Sequence, residues 1–198
     1  ALTYMEWAGH IIQSVLVPWH VIETADDAKA FADKLAAQPL SRALMTSISG
    51  AIFEGHKLFA KSNVESLRRV IDVSGDGPNN QGLTVTRARD IAVEAGFVIN
   101  GLPLMTTSGF GTQFNIPDLD EYYRRCVIGG PGSFMIPVND WKQFPEAVRR
   151  KLVLEIGSRE LFQPRVIPAQ FRFEEPYDCL IGEKKWLQRR WQFDDFDR

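Results

Sequence analysis

The sequence predicts an α/β fold: a doubly wound, mostly parallel sheet with helices on both faces, followed by an irregular, aromatic-rich C-terminal arm. Three observations predict it. Short β-branched runs alternate with helix-length amphipathic segments through residue 157. The runs at Arg69 to Ser74 and Phe97 to Leu102 are apolar enough to be buried on both faces, as strands of a parallel sheet are. Beyond Gly157 the alternation stops, interrupted by Pro164, Pro168 and Pro176. Residues 1–157 therefore read as one domain and 158–198 as the arm.

Taken in order, Thr3 to Trp7 reads as a short strand. Gln13 to Ile22 reads as a second, whose Pro18 lacks an N–H to donate and so marks a sheet edge or a bend. Asp26 and Asp27 open a helix over Ala28 to Ala37, with Phe31 and Leu35 four apart on one face. Thr46-Ser47-Ile48-Ser49 starts a second helix through about Ala60, with Ile48, Ile52 and Leu58-Phe59 as its apolar stripe. After the strand at 69–74, Thr84 or Thr86 starts a helix through Ala95 that Gly96 stops, and Phe97 to Leu102 is the next buried strand. Leu119 to Val127 is expected to be helical, Ser133 to Val138 a strand, and Phe144 to Ile156 a helix with Pro145 in its first turn.

The composition bounds the function. A chain of 198 residues, 44% hydrophobic and with a net charge of −2, has the make-up of an ordinary globular domain with one substantial core. Near-neutral charge argues against a nucleic-acid partner, which calls for a basic face. No run reaches the roughly 18 apolar residues that span a bilayer. Ala1 to Trp7 lack the basic start and apolar middle of a signal peptide, and the start without Met suggests a processed product or a missing beginning. Two cysteines, Cys126 and Cys179, are too few for a disulfide scaffold and have no zinc spacing; one disulfide and two buried thiols both fit. In the arm, Phe171, Phe173, Tyr177, Trp186, Trp191, Phe193 and Phe196 lie among Lys184, Lys185, Arg189 and Arg190, a mixture that either wraps its own domain or docks on a partner.

The chemistry-bearing stretch is Arg69 to Asn80, a β-branched strand running into Ser74-Gly75-Asp76-Gly77-Pro78-Asn79-Asn80. Ligands of open α/β sheets gather at the carboxyl ends of strands, which is where this loop holds Asp76. Thr46, before a helix, and Ser74 converge on the same end. A hydroxyl and a carboxylate from separate loops, completed by water, suit Mg²⁺, a hard octahedral ion that keeps much of its hydration. Asp72, inside the strand, is expected to point to the other side of the sheet and pair with a neighbour. Asn79 and Asn80 are candidate rim residues, although Asn is common in such turns.

The Met45 to Ser49 helix start together with Val70 to Gly77 resembles a von Willebrand factor type A domain. More closely, the chain resembles the bacterial DUF1194 family. The matching blocks are Tyr4 to Gly9, Arg69 to Asn80, Ile99 to Leu102, Val127 to Gly132 and Arg150 to Ile156. Type A domains hold a divalent ion in an adhesion site (MIDAS) built from three loops. By that resemblance, Thr46 matches the second-loop threonine and Asp76 the third-loop aspartate. The first loop, Asp-x-Ser-x-Ser after a central first strand, has no counterpart here. The resemblance therefore implies that a longer polypeptide or another chain supplies a strand between those at 2–8 and 69–74. It also implies an exported, periplasmic or otherwise extracytoplasmic protein, which favours pairing of Cys126 with Cys179.

No other motif carries chemistry. Gly129-Gly130-Pro131-Gly132 lacks the Lys-Ser/Thr of a phosphate loop and the spacing of a dinucleotide fingerprint, and reads as a tight helix-to-strand connection. His10, His20 and His56 have no ligand spacing, and no nucleophile with a base is visible, so no catalytic residue is assigned. The expected function is a non-enzymatic protein–protein interaction domain, with Mg²⁺ or another divalent cation at Thr46 and Asp76 and Ser74 in the outer shell. The alternative is an assembly subunit that docks through its arm and keeps a vestigial metal site.

Overall fold

The computed structural model describes residues 1–39, 45–106, 115–157 and 176–194. Its elements are β1 (Leu2–Trp7), β2 (Gln13–His20), α1 (Ala25–Ala36), α2 (Ile48–Ala60), β3 (Arg69–Gly75), α3 (Val85–Glu94), β4 (Phe97–Pro103), α4 (Leu119–Tyr122), α5 (Phe144–Gly157) and α6 (Ile181–Asp194). Each element expected through residue 157 is found, with one reduced: the strand expected at 133–138 is present only as isolated bridges, Met135 to Gly101 and Val138 to Leu104, both parallel. Pro137 lies between the bridged residues and has no N–H to offer.

The α/β class holds, but the expected mostly parallel sheet does not appear as one sheet. β1 and β2 form an antiparallel pair, β3 and β4 a parallel one, and the two pairs are separate sheets. Five residues join β1 to β2, a length that permits only antiparallel pairing. The register shifts twice where β1 passes Val15 to His20, so Pro18 sits beside an irregularity, in a two-stranded sheet whose strands are both edges.

Both faces of the β3–β4 pair are covered, as the period-two alternation of a strand requires. Ile71, Val73, Phe97 and Ile99 face one core with Ile48 and Ile52 of α2, Val85, Ala88 and Ala92 of α3, and Tyr122 and Cys126. Leu102, of opposite parity to Ile99, packs with Val138 and Ala147 of α5 on the other face. Asp72 also points that way and pairs with the buried Lys151 of α5, as expected of it. Lys151 Nζ in turn donates to Glu155 Oε1 at 3.0 Å, and Asn100 Nδ2 donates to the same oxygen at 2.6 Å. The buried ammonium is paired with two carboxylates, one of which also accepts from the Asn100 amide, so the buried charges have the partners they need.

The β1–β2 hairpin is held by α2 as well. Trp19 stacks edge-on against Phe59, with ring centroids 4.8 Å apart, and its Nε1 donates to Leu58 O at 3.2 Å. α1 closes the far side through Phe31, whose ring lies 6.3 Å from that of His20.

The arm, expected to be irregular, is helical over Ile181–Asp194, after an irregular stretch at 176–180. The expectations for Pro164, Pro168, Phe171, Phe173 and Phe196 lie outside the described residues, as do those for the side chains of Arg190, Trp191 and Phe193.

Candidate functional site

β3 ends at Gly75 and delivers Asp76 to the molecule's surface, where its side chain is exposed. α2 begins just after Thr46, and Ser47 caps it by accepting a hydrogen bond from Gly50 N at 3.1 Å. Two backbone-level bonds bring these loops together: Thr46 N donates to Asn80 Oδ1 at 2.9 Å, and Asn80 N donates to Thr46 O at 2.9 Å. Thr46 Oγ1 stands 3.6 Å from where a Cβ on Gly77 would lie, so the hydroxyl is beside the residue that follows Asp76. Ser47 N donates to Ala8 O at 2.8 Å, which adds the end of β1 to the same cluster. Of the residues the sequence singles out, Thr46 and Asp76 are thus brought to one place. Ser74 is exposed and shares the parity of Asp72, and so stands on the α5 face of β3.

Asn79 and Asn80 are buried, 0% and 3% exposed, and serve as the stitching of the loops. Asn79 Oδ1 accepts from Ser49 N at 3.1 Å, its Nδ2 donates to Leu83 O at 3.1 Å and to Glu183 Oε1 at 2.8 Å, and its backbone N donates to Tyr122 Oη at 3.1 Å. One side chain and its amide therefore tie α2, α4 and α6 to the loop that carries Asp76.

Beneath the loop lies Tyr123, wholly buried, whose Oη is 3.0 Å from the position of a Cβ on Gly75 and has no hydrogen-bond partner among the described residues. Burial, with Tyr122 and Asp76 adding like-signed repulsion, raises its pKa far above the ordinary phenol value, so it stays a neutral hydroxyl. Glu183 is also shifted up, chiefly by burial, against the opposing hydrogen bond from Asn79.

Sequence reasoning missed Tyr122, Tyr123 and Glu183. The two tyrosines read as ordinary core residues of a helix, and Glu183 sits far along the chain in a segment without periodicity. The one signal available was the pair of adjacent asparagines, whose side chains can each bond two loops at once.

Chemically, the site offers one exposed carboxylate and one half-buried hydroxyl. No group of three or more His, Cys, Asp or Glu suited to a metal ion occurs among the described residues. That donor set fits a largely hydrated Mg²⁺ and not a tightly caged ion.

Cys126 and Cys179 form a disulfide across 53 residues, fastening the arm to α4's continuation, a π-helical turn over Tyr123–Val127. No described helix is long and apolar enough to cross a membrane.

A family model described as "Protein of unknown function (DUF1194)" matches residues 1–160. No curated protein and no solved structure matches the chain.

Proposed function

Since the chain belongs to the DUF1194 family of proteins of unknown function, we propose that it is a non-enzymatic protein–protein interaction domain related to von Willebrand factor type A domains, with a divalent-cation site at Thr46 and Asp76. The observation that carries this reading is the pairing of the two loops through Asn80, which sets the Thr46 hydroxyl beside the Asp76–Gly77 turn. A Mg²⁺ held by these two groups keeps most of its waters, and a carboxylate from a partner protein can replace one of them. The Cys126–Cys179 disulfide supports an extracytoplasmic, periplasmic setting, since such bonds persist in oxidising compartments. Calorimetric titration of the full chain with Mg²⁺ is expected to show weak, saturable binding that Asp76→Ala abolishes. Absence of binding by the wild-type chain at millimolar Mg²⁺ overturns the metal site and favours the assembly subunit that docks through its arm.

A second observation favours a partner of a particular kind. β1 and β3 belong to different sheets, yet both hairpin and parallel pair pack on α2, β2 through Trp19 and β3 through Ile71 and Val73, and the Trp7 indole lies 3.3 Å from the position of a Cβ on Gly75. Each of these strands has one edge whose N–H and C=O groups make no ladder among the described residues, an arrangement a buried sheet does not tolerate for long. An extended segment, from the same polypeptide or another chain, inserted between β1 and β3 would pair both edges.

A further inference from the structure

α6 does more than cover apolar surface. Its first turn abuts the loop that carries Asp76: a Cβ added to Gly182 would lie 2.0 Å from Asn79 O and 3.1 Å from Pro78 Cβ, so the helix backbone touches the loop where only glycine fits. Glu183 Oε1 accepts from Asn79 Nδ2 at 2.8 Å. On either side, Tyr177 Oη donates to Asp118 Oδ2 at 2.8 Å and Lys185 Nζ donates to Asn115 O at 2.9 Å. These three contacts are single, part-buried hydrogen bonds beside the apolar packing of Tyr177 and Ile181 on the core; the covalent anchor is Cys126–Cys179. Asn79 spends its remaining polar capacity on Ser49, Leu83 and Tyr122, so its position depends on α2, α4 and α6 together.

We infer that α6 is a redox-released strap: the Cys126–Cys179 bond latches it against the 76–83 loop, and reduction of that bond loosens Asn79 and with it the loop that presents Asp76. The reductant is a dithiol. Cys126 is fully buried while Cys179 is only partly so, which directs the attacking thiolate to Cys179 Sγ. That attack breaks the Sγ–Sγ bond, forms a mixed disulfide on Cys179 and expels Cys126 as a thiolate, which takes up a proton. The reductant's second thiol then closes on the first, leaving as a cyclic disulfide and returning Cys179 as a thiol; two electrons and two protons pass to the protein. Cys179 lies three residues before Gly182, so the released end is the one that presses on Asn79. The consequence for ligand binding rests on the metal-site reading, whereas the motion itself does not.

The test is amide hydrogen exchange on the full chain in metal-free buffer, so that it succeeds or fails independently of Mg²⁺ binding. Three samples are compared: the oxidised chain; the chain reduced with dithiothreitol, with both thiols alkylated and confirmed by mass; and oxidised Gly182→Ala, in which the latch is intact but the helix cannot seat. Exchange at the Asn79 and Asn80 amides is expected to rise at least about tenfold in the second and third samples, as for a local opening, while Ile99 and Gly101 in β4 stay protected. Unchanged exchange at Asn79 in either treated sample overturns the strap. A rise at Ile99 that equals the rise at Asn79 in Gly182→Ala also overturns it, since the helix would then support the whole domain.

Discussion

Asp72 and Asp76 stand four residues apart and have opposite fates, because one lies within a strand and the other beyond its end. Alternation sends Asp72 to the α5 face, where Lys151 neutralises it, while the end of the strand leaves Asp76 exposed in the turn whose next residue, Gly77, adjoins the Thr46 hydroxyl. That distinction was legible in the sequence from where the β-branched run ends and the Gly-Pro-Asn loop begins. The roles of Asn79 and Asn80 were not, because a turn Asn at a rim and a turn Asn buried among three helices look alike until those helices are placed. Glu183 yields a prediction at the same scale. Its carboxyl is shifted up, mainly by burial, so the folded chain holds this proton at pH values where the unfolded chain has released it. The group's contribution to stability is therefore fully present below the ordinary Glu pKa of about 4.3 and is lost as pH rises through its raised folded value. Denaturant unfolding across pH 4 to 7 is expected to show Glu183→Gln gaining on the wild-type chain as pH rises; a constant difference would mean that burial does not disfavour the charged form.

Elements followed local rules closely where their signals were local. α1 starts one turn earlier than its acidic pair suggests, at Ala25, because Thr24 and Asp27 form a reciprocal capping box: Thr24 Oγ1 accepts from Asp27 N at 3.2 Å and Asp27 Oδ2 accepts from Thr24 N at 2.9 Å. The Gly129 to Gly132 turn is the expected connection and binds the sheet itself: Gly129 exchanges backbone bonds with Ile99 in both directions, at 2.8 and 3.1 Å. Gly130 has a φ of +89°, and a Cβ there would stand 2.6 Å from Phe97 O. Gly130→Ala is expected to lose about 2 kcal/mol or more from the left-handed backbone and the close contact together, measured as a lower denaturation midpoint at unchanged slope. A variant as stable as the wild type would mean that the turn rearranges freely. The arm's helix was hidden for a physical reason: α6 has an aromatic and charged sequence without an apolar stripe, and it is fastened by the disulfide, by Asn79 and by other contacts distant in sequence, none of which periodicity reports.

At the scale of the molecule, two short sheets share a cover without sharing an edge. In a parallel pair, successive N–H groups of one strand point to alternate sides. β4 is flanked by β3 on one side and by the 134–138 segment on the other, while among the described residues β3 has a ladder partner on one side only. Amide exchange along β3 is therefore expected to alternate between protected and rapid, whereas β4 is protected throughout. Insertion of a strand between β1 and β3 would slow the rapid set. Uniform protection of β3 in the isolated chain would show that its outer edge is already satisfied and would remove the basis for an inserted segment.

The sequence by itself determined the order and type of the elements through residue 157, apart from the strand expected at 133–138, and the acidic loop at the end of β3. All of these are encoded in spacings of a few residues. Only the tertiary structure decided that Asn80 ties Thr46 to the loop that carries Asp76, that Asn79 is a buried hub, that Cys126 and Cys179 join, and that the strands form two pairs. Each of these depends on groups far apart in the chain, whose meeting is set by packing and hydrogen-bond completion, which local periodicity does not encode.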